Sequence, residues 1–296
     1  MTAKLQVIIA IAMITVIGFS FIACDDGSGG GGGDPVHVHD WNAWALTKHA
    51  TETENGVDAR TCATCNDTET RFNGEYATGT AGLDFTIMYN LEDDTNTGYR
   101  VNNKTTSNGT ATGNIVIPAY YRPNTDSPYL PVTEIGLNLI DSAQTQSQNA
   151  FGGTSTSNLN TTLTGVTFAE GSQLQRIHNF AFVFCSNLAS ITLPASLTSI
   201  GNNAFAACSS LTSITIPASV TTIGATAFSL CSSLTSVTFE DTISSSGFNA
   251  TAFPPAMMGD LRDKFYATDS DNGTPGTYIA TSGSGTTADP FVWEKQ

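Results

Sequence analysis

Apolar positions recur along the C-terminal half of the chain in one fixed order. In "LTSIGNNAFAACSSLTSITIP", residues 197–217, Leu197 and Ile200 precede Gly201, then come Ala204, Phe205, Cys208 and Leu211, and the alternating Ile214 and Ile216 end at Pro217. The order returns on both sides: Phe182, Phe205 and Phe228 are 23 residues apart, as are Cys185, Cys208 and Cys231, and Leu188, Leu211 and Leu234. A period between about 20 and 50 residues marks a solenoid, in which one small unit stacks on the next. Ile214, Thr215 and Ile216 predict a strand with one buried face, stopped by the proline. The "NNAFAAC" part suits a single helical or 3₁₀ turn. One unit is therefore a strand, a turn, a second short extended piece and a tight turn, and no unit buries its apolar face alone.

The same alternation assigns faces. With Ile191 and Leu193, Ile214 and Ile216, and Val237 and Phe239 pointing inward, Ser190 and Thr192, Ser213 and Thr215, and Ser236 and Thr238 point outward. Gly165 and Thr167 continue the column in a less regular unit. The result is a neutral ladder of hydroxyls, able to hydrogen-bond a partner's backbone or a sugar while steering little charge. A soluble β surface would look the same. The period breaks once: Ile200 to Ile214 is 14 residues, whereas Ile135 to Val166 is 31. The excess lies in an insertion at 138–162, rich in Ser, Thr, Asn and Gln. Insertions in repeat proteins map to loops on one face, where binding is varied.

The stretch "LTSIGNNAFAACSSLTSITIPASVTTIGATAFSLCSSLTSVTF" resembles the 23-residue leucine-rich repeats of the bacterial BspA-like kind. Upstream, "GTATGNIVIPAYYRPN" and "LPVTEIG" (within 109–136) look like the opening of such an array, and "GDLRDKFYATDSDNGTPGTYIA" looks like its closing segment. The resemblance covers about residues 75–290. It implies a β-rich solenoid of leucine-rich repeats with short 3₁₀ or α turns, and a surface adhesin role toward matrix proteins or other bacteria.

The N-terminus, "MTAKLQVIIAIAMITVIGFSFIAC", pairs an early Lys4 with an apolar run and a small residue before Cys24, the pattern of a secretory signal. "FIAC" looks like the lipobox of a bacterial lipoprotein, with Cys24 as the lipidated residue and Phe21 where leucine is commonest. An uncleaved membrane anchor and simple secretion are the alternatives. "DDGSGGGGGD" follows, a flexible tether reaching roughly 15–20 Å over ten residues. The expected organisation is a signal peptide (1–23), lipidated Cys24 with tether (24–34), a small His/Cys module (35–72), a β cap (73–118), the repeats (119–253) and a C-terminal cap (254–296).

With 26 acidic against 11 basic residues and a net charge of −15, a nucleic-acid partner is not expected, and the membrane is met through the lipid alone. The repeats carry no acidic residue from Ile177 to Val237. Cys185, Cys208 and Cys231 share one repeat position and are expected to pack as small buried hydrophobes, with one disulfide as the alternative. Cys62 and Cys65 close a segment holding His37, His39, Trp41 and Trp44. The segment resembles short H-x-W and R-T-C-x-x-C modules of bacterial surface proteins, with Glu52 where another cysteine is expected. His37 or His39 with both thiolates suits a structural zinc, while an exported setting equally suits a Cys62–Cys65 disulfide or solvated thiols.

Catalytic patterns are not found. "DSDNG" begins like a calcium loop, but Gly273 comes one position early and no glutamate stands at the twelfth place, so Asp269 and Asp271 read as a loop. His178 is the only histidine of the array and reads as a surface or wall residue, with no nucleophile and orienting group to complete a trio. The expected protein is an exported, lipid-anchored, non-enzymatic surface module for an extracellular protein or glycan, with a structural envelope scaffold as the alternative. Its expected location is the bacterial cell envelope, at the outer membrane or cell surface.

Overall fold

The computed structural model describes residues 40–48, 50–51, 54–81, 83–90, 95–103, 111–136, 150–152 and 160–296. The signal, Cys24, the tether, His37 and His39 lie outside them, as do 137–149 and 153–159 of the inserted region. The described residues fall into two compact units, one holding those within 40–45 and 59–71 and the other those within 46–58 and 72–296. Strands β1 (Ala45–Lys48), β2 (Val57–Thr61) and β3 (Thr68–Phe72) form a three-stranded sheet. No helix among the described residues is long and apolar enough to cross a membrane.

In the larger unit each repeat contributes one short strand to each of two walls. The first wall starts with the antiparallel pair β4 (Leu83–Asn90) and β5 (Thr95–Asn103) and continues in parallel through β8 (Leu130–Ile135), β10 (Arg176–Ile177), β12 (Ser199–Ile200) and β14 (Thr222–Ile223). β7 (Tyr120–Tyr121) pairs on the flank of β8. The second wall consists of two sheets, one of β6 (Gly113–Ile117), β9 (Leu163–Phe168) and β11 (Ser190–Ile191), the other beginning with β13 (Ser213–Ile216) and β15 (Ser236–Phe239). The register keeps the sequence period: Ile177 pairs with Ile200 and Ile200 with Ile223, while Ile214 pairs with Val237. All of these apolar side chains are buried in one core.

The third side is the turn carrying the phenylalanine. Phe151, Phe182, Phe205, Phe228 and Phe253 form a continuous stack, with centroids 5.3, 5.3, 5.3 and 4.6 Å apart and planes within 11° of parallel. Three of the five were expected. The other two complete it because the insertion flanks Phe151 on both sides and leaves the residue itself in place. Beside the stack, the Sγ of Cys185, Cys208 and Cys231 donates to the carbonyls of Phe151, Phe182 and Phe205 at 3.2–3.3 Å. All three are free buried thiols, so the one-disulfide alternative does not hold.

The expected helical turn takes another form. Bonds of the 3₁₀ kind occur, such as Ala206 N to Asn203 O and Cys208 N to Phe205 O, yet Asn203 and Ala207 have φ of 53° and 61°, outside any right-handed helix. The equivalent positions Phe180, Phe184, Thr226 and Leu230 also have positive φ. Alternation of hand turns every second peptide along the array, so Phe180, Phe182 and Phe184 donate to Asn202, Ala204 and Ala206, and Asn203, Phe205 and Ala207 to Ala225, Ala227 and Ser229. The strain is offset by interrepeat bonds that a helical turn would forgo. The repeats approach so closely here that a Cβ on Gly201 would stand 2.5 Å from the Asn179 nitrogen.

The far end of the array is closed. β16 (Gly276–Ser282) crosses antiparallel onto β15, and β17 (Val292–Lys295) pairs with β16. Helices α1 (Pro255–Met258) and α2 (Leu261–Phe265) cover the last turn, where Phe239, Phe248 and Phe265 pack at tilted angles and Tyr278 meets Phe239 and Phe265 edge to face. The backbone N–H of Trp293 donates to Asp260 at 2.9 Å, which occupies a donor on the terminal strand.

Candidate functional site

The outward positions of the second wall align into two rows. In the first sheet Asn114, Gly165 and Ser190 share one row and Thr167 and Thr192 continue from the buried Val116 in the other; in the second sheet the rows are Ser213, Ser236 and Ile279, and Thr215, Thr238 and Thr277. Ser190, Thr192, Ser213 and Thr215 are exposed, and Ser236 and Thr238 half-buried under the closing hairpin. Thr167 is exposed. Gly165 departs from the ladder: it is buried, and a Cβ there would lie 2.3 Å from the Asn114 side-chain oxygen. Asn114 fills that rung instead.

Several hydroxyls elsewhere in the array bond the preceding repeat: Ser196 to Ser172 O and Leu174 O, Thr198 to Gln175 O, Ser209 to Ser186 O, Ser219 to Leu197 O, Thr221 to Thr198 O. The hydroxyls of Ser190, Thr192, Ser213, Thr215 and Ser236 have no bond to any described residue. Thr167 donates to Ile115 O at 3.3 Å, and Thr238 meets Thr277 at 2.9 Å. At one end of the ladder Thr167 and Thr192 border a groove of about 520 Å³ floored by Phe168, Ala169 and Pro194.

A charged cluster sits on the first wall, where sequence reading placed only His178, as a surface or wall residue. Glu134 is buried, and Arg100 reaches its Oε2 through Nε at 3.0 Å and Nη2 at 2.7 Å. His178 Nε2 lies 2.7 Å from the same oxygen, and Arg176 donates to Oε1 at 3.1 Å. Burial alone would raise the Glu134 pKa, but the bonds from His178 and Arg100 outweigh it and hold the value at about 2. The sequence signal lay in repeat alignment: Glu134, Arg176, Ser199 and Thr222 share one register position, so opposite charges fall on adjacent rungs. With no nucleophile among these contacts, the cluster is a clamp joining β5, β8 and β10.

In the smaller unit, the Arg60 guanidinium lies over the rings of Trp41 and Trp44, at 4.8 and 4.6 Å, and Arg71 lies over Trp44 at 4.3 Å. Arg60 Nε also donates to Glu69 at 2.7 Å. Trp41 forms an antiparallel bridge with Cys62. Cys62 is buried with its Sγ 3.0 Å from Thr64 Oγ1, and Cys65 is half-buried. Among the described residues no three His, Cys, Asp or Glu side chains converge on a metal-sized site. The Trp and Arg stack is the support that sequence reading missed.

Asp269 accepts bonds from the Asp271 and Asn272 backbones at 3.0 Å, a closed turn as the loop reading expected.

Residues 147–253 match the model of the BspA type leucine rich repeat region in six copies. No curated protein sequence matches the chain. Among solved structures, the chain is similar to a leucine-rich repeat protein from Bacteroides capillosus, at 28% identity over 48% of this chain and 83% of that one, with a TM-score of 0.33. A T. pallidum leucine-rich repeat protein matches at 26% identity over 52% and 67%, with a TM-score of 0.30. A leucine-rich cell surface protein from Faecalibacterium prausnitzii matches at 22% identity over 57% and 56%, with a TM-score of 0.23. Residues 147–253 of this chain are therefore a BspA-type leucine rich repeat region in six copies.

Proposed function

We propose that this protein is an exported, lipid-anchored surface module that binds an extracellular protein or glycan through the outward ladder of its second wall. One observation carries the reading: the hydroxyls of Ser190, Thr192, Ser213 and Thr215 stand exposed on one wall of the array with no bond to a described residue, open to a partner. The N-terminal signal and Cys24 support export and anchoring. Anchoring is tested by Cys24→Ser, which is expected to move the protein from the detergent phase to the aqueous phase.

Binding is tested by adhesion of cells displaying the full chain to matrix proteins, glycans and other bacteria. Replacing Thr192 and Thr215 together by valine is expected to abolish adhesion, with Thr198→Val as the matched control on a hydroxyl used by the fold. Adhesion unchanged by the ladder pair would reject the ladder as the binding face and favour an envelope scaffold.

A further inference from the structure

Resting on that reading, we propose that the ladder's ligand is a neutral β-linked polysaccharide, laid across the strands along Thr167, Thr192, Thr215, Thr238 and Thr277. Charge points first to this class. No Asp, Glu, Lys or Arg occurs from Ile177 to Phe239, so the rungs offer an acidic or basic polymer no counter-charge, and a neutral one loses nothing by their absence. Spacing points the same way. Neighbouring strands lie about 4.8 Å apart, close to the length of one pyranose in an extended β-linked chain. A glycan crossing β9 and β11, or β13, β15 and β16, therefore meets one threonine per sugar.

The groove supplies the second chemistry a sugar needs. A pyranose has an apolar C–H face and a hydroxyl rim, and here Phe168, Ala169 and Pro194 floor the groove beside the hydroxyls of Thr167 and Thr192. A peptide ligand would run along an exposed strand edge. The terminal strand β17 instead has the Trp293 N–H occupied by Asp260.

The test titrates the full chain, in detergent, with cellohexaose and chitohexaose by calorimetry. Binding is expected with at least one, equally strong at low and high salt because no ion pair forms. The Thr192→Val, Thr215→Val pair is expected to weaken it at least about tenfold, two lost hydrogen bonds being worth about 1–3 kcal/mol. Thr198→Val is expected to leave it unchanged. Absence of heat with both sugars, or binding indifferent to the ladder pair, overturns the proposal. If the ladder pair still abolishes adhesion to a protein while neither sugar binds, the binding face stands and the sugar assignment falls.

Discussion

Phe205 and Phe228 stack with their ring centroids 5.3 Å apart and their planes 9° from parallel. Both are fully buried, and each ring is wall to one repeat and floor to the next. Phe205→Ala in the middle of the stack is expected to cost about 3–5 kcal/mol by opening a cavity that neighbouring rings hold apart. Thr215→Ala, on the exposed ladder, is expected to change stability by less than about 0.5 kcal/mol. Chemical denaturation of the two variants decides it, and equal losses would show that the face assignment is wrong.

Glu134 makes stability depend on acid. Its folded pKa of about 2 lies below the ordinary value of 4.5, so its stabilising effect is complete above about pH 4.5 and is lost as the pH falls from there toward 2. The gap corresponds to about 3 kcal/mol. Glu134→Gln is expected to flatten the pH profile of the unfolding midpoint across that window. At neutral pH it is expected to be less stable by about 3–5 kcal/mol, since Arg100 loses its buried counter-charge. A Gln variant with the parent's acid profile would mean that other carboxylates govern it.

The thiol column is expected to be inert. Burial pushes the Cys231 thiol up to about 12, and those of Cys185 and Cys208 also well above the ordinary thiol range, so little thiolate forms at neutral pH. Alkylation followed by mass spectrometry should leave all three unmodified in the native protein and modify all three after denaturation. Rapid native labelling at Cys208 would show that the repeats open locally.

Arg60→Ala is expected to destabilise the smaller unit by about 1–2 kcal/mol and to shift the emission of Trp41 and Trp44, which lose the guanidinium over their rings. Arg60→Lys, with its charge but no plane, should fall between. The same emission reads Cys62 and Cys65: a change on chelation identifies a metal there, and a change on reduction a disulfide. An Arg60→Ala spectrum identical to the parent's would remove the stack as a support.

What was legible in the sequence followed from equal spacing. Phe182, Phe205 and Phe228, and the inward and outward assignment of Ile214 and Thr215, needed only the period of 23 and the strand alternation of two. Phe151 and Phe253 were not read because they stand 31 and 25 residues from their neighbours in the stack, although "NAF" and "TAF" mark both. The unequal hand of Asn203 and Ala207 was invisible, because neither is the glycine that ordinarily announces a positive φ. The partners of Glu134 lie 34, 42 and 44 residues away, the last two separations spanning the insertion as well as a repeat.

The peptide units of the phenylalanine turns lie head to tail from repeat to repeat. Phe182 N–H meets Ala204 O, the next peptide's N–H on Phe205 meets Ala227 O, and Phe228 N–H meets Ala252 O. Columns of aligned peptides sum to a macrodipole, as in an α-helix. Here the N–H groups point toward the later repeats, so the positive pole lies at the C-terminal end and the negative pole at the N-terminal end, the reverse of a helix. Lengthening the array by one repeat would extend each column by one peptide without altering its poles. A carboxylate introduced at the closing end of the turns is favoured by this field, and the same substitution at the opening end is opposed by it.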